Sequence, residues 1–284
     1  MSSLIADAVR ELAGAGVASP EVDAREIAAS LLGVAPLMVR FTEPYDGFES
    51  DYAAAIARRA TREPLQHITG TAQFGPHELS VGPGVFVPRP ETEVLAEWGA
   101  QLLADATSNP PTAIDLGTGS GALAVYLKSR VPAARVVGVD KQEQALAYAR
   151  RNGEGVEFHK GDMTDPELLT ELSGTVDVIV ANPPYVPETP DLDPEVYFDP
   201  HEAVFSGADG MEAIRGLVPV AKRLLKPGGR IGIEHDDSTS ELVQECLKAD
   251  GGFTDVQAMQ DLTGRSRFVV ASKLPICPQP PTTV

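Results

Sequence analysis

Ala113-Ile114-Asp115-Leu116-Gly117-Thr118-Gly119-Ser120-Gly121-Ala122 decides how this 284-residue chain is read. The apolar residues ending at Asp115 read as a buried strand, the three glycines as a tight turn, and the residues after Gly121 as a helix start. Glycine lacks a Cβ, so such a turn can adopt positive φ and bring backbone close to a ligand. Strand, glycine turn and helix in that order open a doubly wound α/β domain, whose ligands bind at the carboxyl ends of the strands.

Working outward, helical and strand patterns alternate from about residue 89. The expected strands are 112–115, 135–140, 156–159, 177–181, 230–234 and 267–271, with Lys226-Pro227-Gly228-Gly229 as the turn before the fifth. Residues 1–73 predict a small helical domain. Leu4, Ile5, Ala8, Val9 and Leu12 recur at helical spacing, Ser19-Pro20-Glu21 signals a helix start, and Val22, Ile27, Leu31 and Leu32 form the second apolar face. A third helix is expected from about 50 to 62. Gly75-Pro76, Gly82 and Pro83-Gly84 punctuate a hairpin-like linker over 74–88. The α/β domain then covers 89–274, and the Pro-rich stretch 275–284 is expected to be a disordered tail.

The glycine loop admits two ligands. Gly117, Gly119 and Ala122 satisfy the dinucleotide pattern G-x-G-x-x-G/A, and Asp140 ends the next strand where an acid accepts from ribose hydroxyls. S-adenosylmethionine is favoured by two further acids. Asp115 can face an ammonium group but would repel a pyrophosphate, and Asp162, after the third strand, can accept from an adenine amino group. Each acid alone also reads as a solvated loop end, Asp162 more readily than Asp140. As a set, Asp115, Gly117, Thr118, Gly119, Ser120, Gly121, Asp140 and Asp162, with neighbours Lys141 and Met163, are the candidate cofactor residues.

Asn182-Pro183-Pro184-Tyr185 directly follows the apolar run 176–181. Its prolines fix φ and remove two donors, leaving stiff backbone with free carbonyls. Asn182 adds a side-chain acceptor and Tyr185 an aromatic face with a polar tip. Together they can hold a planar NH₂ group, although an isolated match of four residues is equally a Pro-rich turn.

Bulk properties bound these readings. With 43% hydrophobic and 23% charged residues the composition is ordinary for a globular protein. No apolar run approaches the ~20 residues that span a bilayer, and the N-terminus lacks a signal-peptide pattern. No membrane association is expected. Cys246 and Cys277 show neither metal nor disulfide-framework spacing and the five histidines do not cluster, so the chain predicts a cytoplasmic protein without a metal. A formal net charge of −18 argues against direct nucleic-acid binding, while leaving room for a local basic patch.

With the glycine loop, Asp140, Asp162 and the Asn-Pro-Pro-Tyr corner in order, the chain resembles class I methyltransferases acting on planar nitrogens. Pro64-Leu65-Gln66-His67-Ile68-Thr69-Gly70 and Val85-Phe86-Val87-Pro88-Arg89-Pro90-Glu91-Thr92-Glu93 narrow this resemblance to the release factor glutamine N5-methyltransferases (PrmC/HemK). Ser206-Gly207-Ala208-Asp209-Gly210 and Asp261-Leu262-Thr263-Gly264-Arg265-Ser266-Arg267 fit the same family. One departure is Glu234-His235-Asp236-Asp237-Ser238, where the family often has Glu-x-Gly-x-x-Gln.

The resemblance implies a Rossmann-like domain with a mixed, mostly parallel sheet and helices on both faces, behind a helical substrate-positioning domain and a hairpin. It implies methyl transfer from S-adenosyl-L-methionine, with S-adenosyl-L-homocysteine as product, to the Gly-Gly-Gln glutamine of bacterial class 1 peptide chain release factors. The expected enzyme is a monomer. Asn182, Pro183 and Tyr185 are the expected catalytic residues, and Pro184, Phe86, Arg89 and Glu91 join them in binding substrate. Asn182 is also expected to contact the cofactor, and the segment 89–93 is expected to line the cofactor and substrate cleft. The rival readings are an adenine-N6 DNA or RNA methyltransferase, an NAD-dependent oxidoreductase and a silent binding module.

Overall fold

The computed structural model describes residues 1–188 and 192–275. From residue 276 on, the expected tail and Cys277 lie outside the described residues. The chain begins with α1 (Ser2–Gly14), α2 (Pro20–Leu32) and α3 (Phe48–Ala60), packed through Leu12, Ile27, Phe48 and Ile56. The third helix thus starts and ends two residues before its expected limits. Ser19 caps α2 by position, with Pro20 following, but its hydroxyl makes no capping hydrogen bond. Val22, expected on the apolar face, is 52% exposed, and the helix instead buries Asp23, Ala24, Ile27 and Ala28.

A buried carboxylate needs a partner. Asp23 has one in Arg59 of α3, whose Nε donates at 2.7 Å. Arg59 also donates to Glu195 at 2.8 Å, and Arg62 reaches Asp193 at 3.0 Å. These bonds tie the helical bundle to residues 193–199, far along the chain. Asp199 in turn accepts from Arg89 Nη2 at 2.9 Å and from the Val87 amide at 3.3 Å.

The short α4 (Leu65–Thr69) leads into a hairpin of β1 (Thr71–Phe74) and β2 (His77–Ser80), so the paired strands begin at Thr71. The rest is a seven-stranded sheet. Its elements are α5 (Glu93–Ala104), β3 (Thr112–Leu116), α6 (Ala122–Arg130), β4 (Arg135–Asp140), α7 (Glu143–Asn152), β5 (Glu157–Lys160), β6 (Val176–Ala181), α8 (His201–Val204), α9 (Glu212–Leu224), β7 (Leu225–Glu234), α10 (Ser240–Asp250), β8 (Phe253–Gln260) and β9 (Ser266–Lys273). The strand order is β5-β4-β3-β6-β7-β9-β8, parallel from β5 to β7, with β9 antiparallel to both of its neighbours.

Strand periodicity sorts the core into two layers. Val178 and Val180 of β6 face α5 and α6, whereas Ile179 and Ala181 face the layer of α9 and α10. Two expectations need correction. Strand β8 was not expected, because only Phe253 is fully buried in this edge strand and a register shift at Asp255, with φ of 52°, breaks its alternation. The Lys226-Pro227-Gly228-Gly229 turn is a bulge inside β7: Val176 faces Leu225, yet Val178 already faces Arg230.

Candidate active site

The carboxyl ends of β3, β4, β5 and β6 open into one cavity of about 640 Å³. It is lined by Gly117, Thr118, Gly119 and Ser120 after β3, by Asp140 and Lys141 at the end of β4, and by Asp162 and Met163 after β5. Asn182, Pro183, Pro184 and Tyr185, after the neighbouring strand β6, form a second part of the wall, joined by Phe86. Both motifs singled out in the sequence therefore face the same space.

The glycine loop is held by its own backbone. Gly117 and Thr118 amides donate to the Val139 carbonyl at 2.9 and 2.8 Å, and the Gly119 amide donates to Asp140 Oδ2 at 2.9 Å. These three bonds fix the loop against the end of β4. Asp140 Oδ1 accepts from the Gln142 amide at 2.8 Å, and burial raises its pKa. A carboxylate has about four acceptor positions, so room for ribose hydroxyls remains. Asp162 Oδ1 accepts from the amide and hydroxyl of Thr164, bonds that hold its pKa low despite the opposing effect of partial burial. At Gly117 a Cβ would lie 2.8 Å from Met163 Cε, whereas at Gly119 it would meet nothing within 4 Å. The loop thus packs tightly at one glycine and opens at the next, as a close-fitting nucleoside requires.

Four expected site residues lie elsewhere. Asp115 is fully buried beneath the loop. Its Oδ2 accepts from Thr118 Oγ1 at 2.6 Å and the Ala124 amide at 3.1 Å, and burial pushes its carboxyl up to about 7. It shapes the loop and does not line the cavity. Its Oδ1 is buried with no protein partner. Gly121, with φ of 87°, is the turn into α6. Arg89 is drawn away by Asp199 and lies 5.1 Å from the Phe86 ring centroid, and Glu91 does not line the cavity either. In that segment Pro88 and Thr92 line it instead.

Thr92 belongs to a buried network that supports the Asn-Pro-Pro-Tyr corner. Its hydroxyl donates to Glu234 Oε2 at 2.8 Å and accepts from Asn182 Nδ2 at 3.4 Å. The Tyr185 hydroxyl donates to Glu234 Oε1 at 3.2 Å. Glu234 is 1% exposed, and burial pushes its carboxyl up to about 7 against the opposing bonds from Thr92 and Tyr185 and the nearby charge of Arg267. Arg267 is oriented by Asp261, which accepts from its Nε at 3.1 Å. Gly210 supports the corner from below: with φ of 72°, a Cβ there would lie 2.2 Å from the Tyr185 carbonyl oxygen. The two segments Ser206–Gly210 and Asp261–Arg267 thus act as supports for the corner.

The Glu234-His235-Asp236 departure is absorbed locally. Asp236 does not have positive φ, so no glycine is required there. Its Oδ1 accepts from the amide and hydroxyl of Ser238, and its carbonyl accepts from Thr239 Oγ1 at the start of α10.

Comparison with known proteins agrees with this geometry. A family model described as a methyltransferase domain matches residues 109–263, and one described as the PrmC N-terminal domain matches 3–70. A release factor glutamine methyltransferase of Corynebacterium glutamicum is 51% identical over 278 residues, spanning 96% of this chain and 99% of its own. The chain belongs to the release factor glutamine methyltransferase family. A family member from Mycolicibacterium smegmatis is 49% identical over 280 residues, covering 96% of this chain and 98% of its own. In fold alone, a solved methyltransferase from Pyrococcus furiosus aligns with a TM-score of 0.50 at 20% identity, over 80% of this chain and all of its own.

The segment 89–93 is expected to line the cleft and Thr92 does so, but the sequence assigns neither Thr92 nor Glu234 a role of its own. They lie 142 positions apart, and no spacing rule pairs them. A buried-strand end carrying a lone acid, Glu234 after Ile231 and Ile233, was the available signal.

Proposed function

We propose that the protein transfers the methyl group of S-adenosyl-L-methionine to the side-chain amide nitrogen, N5, of a glutamine in peptide chain release factors. What carries this reading is the rigid Asn-Pro-Pro-Tyr corner on the wall of the cavity that the glycine loop also lines, in a chain half identical to named release factor glutamine methyltransferases. The finer assignment is the Gly-Gly-Gln glutamine of bacterial class 1 release factors, methylated in the cytoplasm by a monomeric enzyme. Residues 1–73 would position the factor, and the hairpin over 74–88 would join them to the catalytic domain.

S-adenosyl-L-methionine supplies an electrophilic methyl group on a sulfonium. Asp140 accepts from its ribose hydroxyls, Asp162 from its adenine amino group, and Gly119 leaves room for close approach, with Gly117, Thr118, Ser120, Lys141 and Met163 completing the wall. Asp115 keeps the loop in shape from below. An amide nitrogen is a weak nucleophile because its lone pair is delocalised. Asn182 Oδ1 and the Pro183 carbonyl each accept one amide hydrogen, which orients the nitrogen and stabilises positive charge developing on it. Pro184 stiffens the corner, and Tyr185 and Phe86 shield the amide from water. Positioning is the main contribution, since well-oriented reactions gain effective molarities of roughly 10⁵–10⁸ M. As the N–CH₃ bond forms, the S–CH₃ bond breaks and S-adenosyl-L-homocysteine leaves; the proton, acidic only once the nitrogen is methylated, then passes to solvent without a dedicated general base.

Incubation with isotopically labelled S-adenosyl-L-methionine and a release factor, followed by peptide mass spectrometry, tests the reading. Label on the Gly-Gly-Gln glutamine supports it. Label on DNA or RNA and none on the factor overturns it.

A further inference from the structure

We propose that Thr92 and Glu234 are positioning residues for methyl transfer: they fix which way the Asn182 carboxamide faces and so turn its oxygen toward the substrate. This inference rests on the glutamine-methylation reading above and adds two residues to that site. A carboxamide presents a donor face and an acceptor face, and the two orientations are nearly isosteric. An amide hydrogen of the substrate can be gripped in only one of them. The choice must therefore be made by a group behind Asn182.

That group is the Thr92 hydroxyl. It has one proton and two lone pairs. The proton goes to Glu234 Oε2 at 2.8 Å; in the ionised form of Glu234 both oxygens can only accept, which fixes this direction. Only lone pairs are then left facing Asn182, and they accept from its Nδ2 at 3.4 Å. With nitrogen turned inward, Oδ1 is left for the cavity. Glu234 uses its other oxygen, Oε1, to accept from the Tyr185 hydroxyl at 3.2 Å, so one carboxylate sets both side chains of the corner. Thr92 is 3% and Glu234 1% exposed, which keeps water from substituting for either. Leu95 and Ala96 of α5 are fully buried, and so is Ile233 ahead of Glu234, so the network has little freedom to rearrange.

The test compares the full chain with Thr92→Val, Thr92→Ser and Glu234→Gln, using a release factor as substrate and S-adenosyl-L-homocysteine binding by calorimetry as an independent readout. Thr92→Val removes the hydroxyl at nearly constant volume. The expected result is a 10- to 100-fold lower kcat, with Kd for S-adenosyl-L-homocysteine within about twofold of the parent, as for a group acting mainly in the transition state. Thr92→Ser should recover most of the lost kcat, and Glu234→Gln should fall between the two. Unchanged kcat in Thr92→Val overturns the proposal. So does a parallel loss of kcat and cofactor-product affinity that Thr92→Ser does not restore, because that is the signature of a merely structural role. A parent enzyme that does not methylate the release factor defeats the functional reading itself, and the inference with it.

Discussion

The two walls of the cavity are built on different principles. The glycine-loop wall is mostly backbone: amides of Gly117, Thr118 and Gly119 are fixed by the end of β4 within 23 residues of sequence. The Asn-Pro-Pro-Tyr wall is held from distant segments, by the side chains of Thr92 ahead of α5 and of Glu234 and Arg267 from β7 and β9, and by the close-packed backbone of Gly210 before α9. A cofactor common to many reactions needs close-fitting backbone and a few acceptors such as Asp140 and Asp162, whereas choosing an amide nitrogen requires an acceptor that points one way. The first wall should therefore govern affinity for the cofactor, and the second the rate of transfer.

The largest effect expected from this division is at Asn182. Asn182→Ala should lower kcat by roughly 10²–10³, the cost typical of losing one group that stabilises developing charge. Its affinity for S-adenosyl-L-homocysteine, measured by calorimetry, should stay near that of the parent. Near-normal turnover would break the comparison. The converse variant is Asp140→Ala, which should weaken S-adenosyl-L-methionine binding by roughly 10- to 100-fold, as expected for hydrogen bonds to a charged group. Unchanged affinity by calorimetry would remove Asp140 from the ribose.

Gly210→Ala sharpens the contrast further. Its Cβ must displace the Tyr185 carbonyl while φ stays positive. A strained residue of this kind costs about 1–3 kcal/mol. Thermal unfolding should show the loss, and kcat should drop with cofactor affinity preserved.

The smallest effect concerns pH. Burial pushes Glu234 up to about 7, so the folded chain holds that proton more tightly than the unfolded chain does. The resulting stability is present below the ordinary carboxylate range and is lost as pH rises through about 7. Glu91, Arg267 and Tyr185 face the same carboxyl and set where this happens. Glu234→Gln should flatten the dependence of Tm on pH between about 5 and 7 relative to the parent. An identical slope would contradict burial of an ionisable Glu234.

Local spacing explains what could be read in advance. The β3–loop–α6 unit, the end of β4 at Asp140 and the corner after β6 are each written in contiguous residues, and the structure brings them to one cavity. Strand β8 escaped because an edge strand such as Phe253-Thr254-Asp255-Val256 carries almost no burial signal. Asp115 was expected to face the ligand, since its residue type and position could not reveal that Thr118 and the Ala124 amide claim it from below. Arg89 was likewise expected in the cleft, and its partner Asp199 lies 110 residues away. Thr92 and Glu234 are the clearest case of chemistry set by tertiary contact alone.

A crystal structure of the protein with S-adenosyl-L-homocysteine and a peptide containing Gly-Gly-Gln tests the central claim most directly. The account predicts the glutamine amide nitrogen within about 3 Å of both Asn182 Oδ1 and the Pro183 carbonyl, with Asn182 Nδ2 still turned toward Thr92. A glutamine bound elsewhere in the cavity, or Asn182 presenting its nitrogen to the peptide, would contradict it.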